Sequence, residues 1–184
     1  SFPDLLVRSI VVKDGSLLWT DELMDPPMKV IVKNIDLKIS NLSFDKEFPF
    51  EANLSILSER DNVKAKGFLR IDKNSSQIFL NKFEAKTDLS AISFEQLFNL
   101  LPQISQIGLE EPVGGDITVT INDLTASAQG LTKLVSEVNI QAGRIKLKQL
   151  ASAFEDIKAD VNISESALNL TQASIHFAGG VINA

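Results

Sequence analysis

The sequence predicts a mainly β protein, built as a long curved antiparallel sheet of amphipathic strands that forms a groove or an open sandwich-like or barrel-like body, with one short α-helix near residues 90–101. Three observations predict it. Apolar and polar residues alternate over most of the 184 positions, the period that places one face of a strand on a core and the other in water. Turn residues punctuate these runs. A helical spacing of apolar residues occurs clearly only once.

The strongest local signal is Ile10 to Trp19, read IVVKDGSLLW. Asp14-Gly15 is a type I′ turn dipeptide, in which both central residues take positive φ. A two-residue loop there would set Val12 opposite Leu17 and Ile10 opposite Trp19. The pattern recurs relative to two later glycines. Ile140 would face Ile145 and Val138 would face Leu147, while Phe177 would face Ile182 and Ile175 would face Ala184. Three hairpins are therefore expected, turning at Gly15, Gly143 and Gly180.

Taken in order, residues 5–13 and 16–22 form the first expected hairpin, and Asp25-Pro26-Pro27 forms a loop, since proline cannot sit inside a paired strand. Met28, Val30 and Val32 alternate, then Ile35, Leu37 and Ile39 do so with shifted parity. A β-bulge at Lys33-Asn34 accounts for the shift. Residues 48–57 and 63–71 are the next strands, joined by a turn at 59–62. Residues 76–87 follow, with a second parity slip at Asn81-Lys82.

The rhythm then changes to a helix: Ser93 and Gln96 have capping-box spacing, and Phe94, Leu97, Phe98 and Leu101 share one helical face. Pro102 ends it. After a connection over 103–114, strands are expected at 116–124, 134–141, 144–150, 156–164 and 167–177, with 150–155 as loop.

Nothing marks a linker or second domain, so residues 1–184 read as one β-rich domain. The opening Ser1-Phe2-Pro3 and the close on Ala184 suggest a piece of a longer protein. A net charge of −6 argues against binding nucleic acid. With no cysteine, disulfides and thiolate chemistry are excluded. His176 lies between Ile175 and Phe177 and so points to the polar side, without a partner for catalysis or metal binding. Asp14, Asp21, Glu22 and Asp25 are acidic neighbours in sequence but lack EF-hand spacing. Glu110-Glu111 would point apart in an extended segment, and the glycine pairs 114–115 and 179–180 open no helix. Asn-x-Ser/Thr triplets occur at Asn41, Asn53, Asn74, Asn162 and Asn169, and all but the one at Asn74 read as polar-apolar-polar alternation. No catalytic residue, metal or cofactor is expected.

The glycine-centred unit at 9–21, the segment Lys33-Asn34-Ile35-Asp36-Leu37, Asp88-Leu89-Ser90 with 97–102, and the later glycine units at Gly143 and Gly180 together resemble the AsmA-like family of AsmA, TamB and YhdP relatives. The resemblance implies a periplasmic piece of a Gram-negative envelope protein, anchored in the inner membrane by a segment outside this stretch. It further implies a non-enzymatic apolar β-groove that carries phospholipid acyl chains towards the outer membrane or serves outer-membrane assembly. Flanking β-repeats of the same chain would be neighbours. The expected lipid-facing residues are Val30, Val32, Leu37, Ile39, Leu54, Ile56, Leu69, Ile78, Leu80, Val119, Ile121, Val138 and Ile140. The alternative is a structural or protein-binding β-module with a closed, dry core.

Overall fold

The computed structural model describes residues 6–23, 28–44, 46–111 and 113–184. Its strands are β1 (Leu6–Asp21), β2 (Met28–Ser43), β3 (Phe48–Ile56), β4 (Val63–Asp72), β5 (Gln77–Asp88), β6 (Gly114–Ser127), β7 (Gly130–Ile145), β8 (Phe154–Ser164), β9 (Leu168–Phe177) and β10 (Gly180–Asn183). They form one sheet in the order of the chain, β1 to β10. Every neighbouring pair is antiparallel. The sheet is open and does not close into a barrel, so the expected mainly β, antiparallel architecture holds, in an open form.

Two of the three glycine hairpins are corrected. Asp14 and Gly15 lie inside β1, a single 16-residue strand that pairs with β2 on both sides of them. Asp14 has φ 51°, the value a type I′ turn would need, but here it makes a β-bulge. Val12 faces Leu37 and Leu17 faces Val32, so the two halves of the motif align with β2 and not with each other. Gly143 is likewise internal to β7, whose partners run without a break from Val135–Ser164 to Ile145–Phe154. No positive φ is needed at Gly143, so the strand continues through it, with a register shift only on the β6 side, where Gly114 faces Arg144 and Gly115 faces Ala142. The third hairpin exists one residue earlier than expected. Ala178 (φ 51°) and Gly179 (φ 82°) form its two-residue loop, Gly180 faces Phe177 and Ile182 faces Ile175.

The parity shifts inside strands were read correctly. Asn34 (φ 52°) and Lys82 (φ 49°) are the irregular residues, with register shifts between Lys33 and Asp36 and between Lys66 and Phe68. The expected loop at Asp25-Pro26-Pro27 lies outside the described residues.

Between β5 and β6 the chain makes a 3₁₀ turn (Leu89–Ala91), α1 (Phe94–Leu100) and α2 (Pro102–Ser105). Asp88 caps the first, accepting from Ser90 N at 2.9 Å, and Ser93 caps α1, accepting from Gln96 N at 3.3 Å. The single helix expected over 90–101 is therefore broken in two places. Leu101 (φ −130°, ψ 78°) is non-helical because the residue before a proline is pushed out of the α region.

This helical segment seals one end of the sheet. Ser93 N donates to Leu57 O at 2.7 Å and Asp88 N to Asn62 O at 2.8 Å. Asn62 is buried and bonds the β3 backbone twice, accepting from Ile56 N at 2.9 Å and donating to Ile56 O at 3.0 Å. Ser55, Ser58 and Val63 are buried beside it. Further along the same end, Leu109 bridges to Leu147, and Lys148 N donates to Gly108 O at 2.8 Å.

Candidate lipid-facing surface

Strand register determines which side chains share a face, because opposed residues in an antiparallel pair point the same way. One row runs Val12, Leu37, Ala52, Ala65, Ala85, Val119, Val138, Val161, Leu170, each opposite the next. It crosses nine strands, a path of roughly 38 Å at about 4.8 Å per strand. Parallel rows lie on either side. One passes Phe48, Leu69, Leu80, Leu124 and Leu134; another passes Thr87, Ile117, Ile140 and Ala159.

All thirteen residues expected to be lipid-facing belong to this face. Val32 opposes Ile56, Ile39 opposes Phe50, Leu54 opposes Val63, Ile78 opposes Ile71, and Ile121 opposes Phe83. Val30 is two residues from Val32 on the same strand. None of the thirteen is buried. The sequence reading left out Val12, Val161 and Leu170, which extend the row to the strands nearest both edges, and the alanines 52, 65 and 85 at its middle. The same alternation marks the former; small side chains hid the latter.

Gly67 interrupts the face between two aromatic rings. Phe50 and Phe83 lie with ring centroids 6.2 Å apart, and a Cβ on Gly67 would come within 3.2 Å of the Phe50 ring. The glycine lets these rings lie down over the strand. Ser136, opposite Ile121 and Ile163, is the one buried hydroxyl described on this face outside the sealed end.

The extent of exposure distinguishes this sheet from a globular interior. Among the described residues, the buried hydrophobic side chains are Phe48, Val63 and Ala142. The accessible surface is 11919 Å² for a 20.1 kDa chain, against about 8,700 Å² for a compact monomer of that mass. The excess of about 3,200 Å² is what an uncovered sheet face produces. Among the described residues no second layer closes over this face.

The opposite face is a charged ladder. Lys38, Glu51, Lys66 and Glu84 oppose one another in turn, with Lys66 and Glu84 paired at 3.2 Å. Lys86 reaches Asp116 at 3.0 Å and Lys133 reaches Asp123 at 2.5 Å, which raises the Lys133 pKa. Near the sealed end, Glu59 accepts from Lys33 at 3.1 Å and from Gln96 at 3.0 Å. These bonds, Lys33 foremost, hold the Glu59 carboxyl below its ordinary value. The Ser90 hydroxyl does the same for Asp88, against a smaller opposing effect of burial.

The remaining polar candidates are dispersed. His176 is half-exposed on the charged face, 3.5 Å from Asp156. Asp14 and Asp21 are seven residues apart on one extended strand, roughly 23 Å, and Asp25 lies outside the described residues. Glu111 pairs with Arg144 at 3.2 Å, while Glu110 uses its backbone to bond Lys146 O. Asn41, Asn53, Asn74, Asn162 and Asn169 are all exposed. Among the described residues no three of His, Asp and Glu gather as a metal set, and no helix is long and apolar enough to cross a membrane. A cleft of about 250 Å³ between β7, β8 and β9 is lined by Val135, Ser136, Glu137, Asn162 and Ile163 among others, with one carboxylate and no base.

The geometry defines an open amphipathic β-sheet with one end sealed by a helical segment. No protein-family model, curated protein or solved structure matches the chain.

Proposed function

We propose that this chain is a non-enzymatic module of an AsmA-like envelope protein, held in the periplasm by an anchor elsewhere in its sequence, whose apolar face takes phospholipid acyl chains in transit between inner and outer membranes or during outer-membrane assembly. One observation carries the reading: apolar side chains run in register across nine strands and none of them is buried, while the reverse face is charged. An acyl chain lying along the row gains about 0.8 kcal/mol for each methylene it buries. Its headgroup stays in water at the rim. The physical demand on the protein is a continuous apolar path, which needs no catalytic group.

The test is phospholipid extraction from protein purified out of bacterial membranes, together with uptake of a fluorescent phospholipid from phosphatidylethanolamine and phosphatidylglycerol vesicles. Retention of about one or more lipids per chain, lost in Leu37→Gln and Val119→Asn variants that still melt cooperatively, supports the reading. Protein free of lipid, or variants that only unfold, would overturn it. A protein-interaction role finds support in one feature, the unpaired edge of β1.

A further inference from the structure

We propose that β1 is the docking edge for a second copy of this chain, the two β1 strands pairing antiparallel about a two-fold axis between Asp14 and Gly15. Along one side β1 is hydrogen-bonded to β2; no described strand covers its other side. Among the described residues the polar backbone of this 16-residue strand has no strand partner on that side, the template on which edge strands associate.

The side chains of β1 look like those of an interior strand. Trp19 is 48% and Leu17 57% exposed on the apolar face, and Val11 is 57% and Leu18 60% exposed on the face that is charged elsewhere in the sheet. Apolar patches thus lie on both faces, one on each side of Asp14-Gly15. Antiparallel pairing about that point sets Val12 opposite Leu17 of the second copy and Ile10 opposite Trp19. On the other face it sets Val11 opposite Leu18. It also sets Arg8 opposite Asp21, so both ends of the interface gain an opposite-charge pair. Two lysines and two aspartates, from Lys13 and Asp14 of each copy, balance at the centre.

The bulge selects this partner. Val12 and Leu17 are five residues apart, and in a regular strand that odd spacing would put them on opposite faces. The bulge at Asp14 (φ 51°) restores a common face, which two-fold symmetry requires. A partner must carry the same irregularity, as β2 does. Its bulge at Asn34 (φ 52°) lets Leu37 and Val32, also five apart, meet Val12 and Leu17. A second β1 offers that spacing again. The opposite edge of the sheet is divided between the four residues of β10 and residues 168–172 of β9, which β10 does not reach, and neither run is long enough to match both halves. The palindrome that reads as a hairpin in sequence is thereby satisfied between two molecules, in the residue pairs the hairpin would have made. Such an isologous contact closes at two copies.

Sedimentation equilibrium of the 184-residue chain is expected to show a species of twice 20.1 kDa in reversible exchange with monomer, and emission of the single tryptophan should shift to the blue as the dimer forms. Arg8→Asp and Asp21→Arg should each weaken the dimer about tenfold, since each turns two attractive pairs into repulsive ones. The double variant R8D/D21R should restore it. Because the chain has no cysteine, a V12C/L17C variant reports register directly. Oxidation should give a covalent dimer, whereas V12C alone should not, because residue 12 and its own copy stand roughly 16 Å apart along the strands. A monomer at all concentrations overturns the proposal. So do open-ended oligomers, which would mean growth through the β10 edge, and so does a dimer that ignores the charge swap. None of these outcomes depends on whether lipid binds the apolar face.

Discussion

The two ends of the apolar face are built on opposite terms. At the sealed end, around Asn62, Val63 and Ala142, side chains are buried; the backbone of the 57–62 turn is tied to β5 and to the start of α1 by bonds of 2.8 and 2.7 Å, and the Asn62 side chain is tied to β3 by bonds of 2.9 and 3.0 Å. Along the row from Val12 to Leu170 the same strands carry equally apolar residues that stay at least partly exposed, with no described element packed over them. The difference teaches that apolar alternation builds the sheet, while an insertion between two strands adds a buried, hydrogen-bonded cap at one end; elsewhere burial is limited to isolated side chains such as Phe48 and Ser136. Stability should therefore concentrate at the sealed end, and substitutions along the row should be tolerated by the fold.

Gly115 offers the largest test of that contrast. It faces Ala142 with φ 120°, and a Cβ there would sit 2.0 Å from Gln141 O. Gly115→Ala should cost about 3 kcal/mol, combining backbone strain with a clash that no rotamer relieves. Gly143, two strand positions from that contact, is its control. A Cβ at Gly143 meets nothing closer than Gly114 O at 3.8 Å, so Gly143→Ala should stay within about 0.5 kcal/mol of the parent, with any change stabilising. Were it a hairpin turn, alanine would be strongly unfavourable. Chemical denaturation of the two variants decides the matter.

Asn62→Ala should come next, at about 2 kcal/mol, because it strands the Ile56 N–H and C=O that the side chain now satisfies. Its signature is a lower melting temperature with loss of amide-exchange protection in the 57–62 turn and α1. On the open row, Leu37→Gln should cost only about 1 kcal/mol, since the half-exposed site lets the amide reach water. A larger loss there would show that the row is covered in solution.

The smallest expected effect is that of acid. Glu59 and Asp88 have folded-state pKa values lowered from 4.5 and 3.8 by their bonds to Lys33 and Ser90. A lowered pKa means that the unfolded chain takes up protons first as pH falls. The contribution is therefore present above about pH 4.5 and is lost progressively below it. Both groups are largely exposed, so the effect is modest. A pH series of thermal melts should show α1 loosening first below that range, with the sheet following.

Local chemistry was legible in the sequence wherever one residue decides a conformation. The parity slips placed bulges at Asn34 and Lys82, the Ser93–Gln96 spacing placed the start of α1, and alternation placed all thirteen proposed lipid-facing residues on one face. Asp14-Gly15 was misread for a physical reason, because a type I′ turn and a β-bulge ask for the same positive φ at Asp14. Folding back would have paired five residues with five, whereas running on lets all of β1 pair with β2. Only the presence of a 16-residue partner strand with its own bulge tips the choice. At Gly143 the pattern matched but no turn conformation was required.

The sequence by itself thus determined the class of structure and the composition of its two faces, because side-chain alternation and single-residue backbone preferences act over a few positions. Only the tertiary structure decided which glycine turns the chain, which end of the sheet is sealed, and that among the described residues no second layer lies over the apolar face and no strand pairs the outer edge of β1. Those outcomes depend on pairings between residues far apart in the chain, where the length of the available partner strand outweighs any local preference.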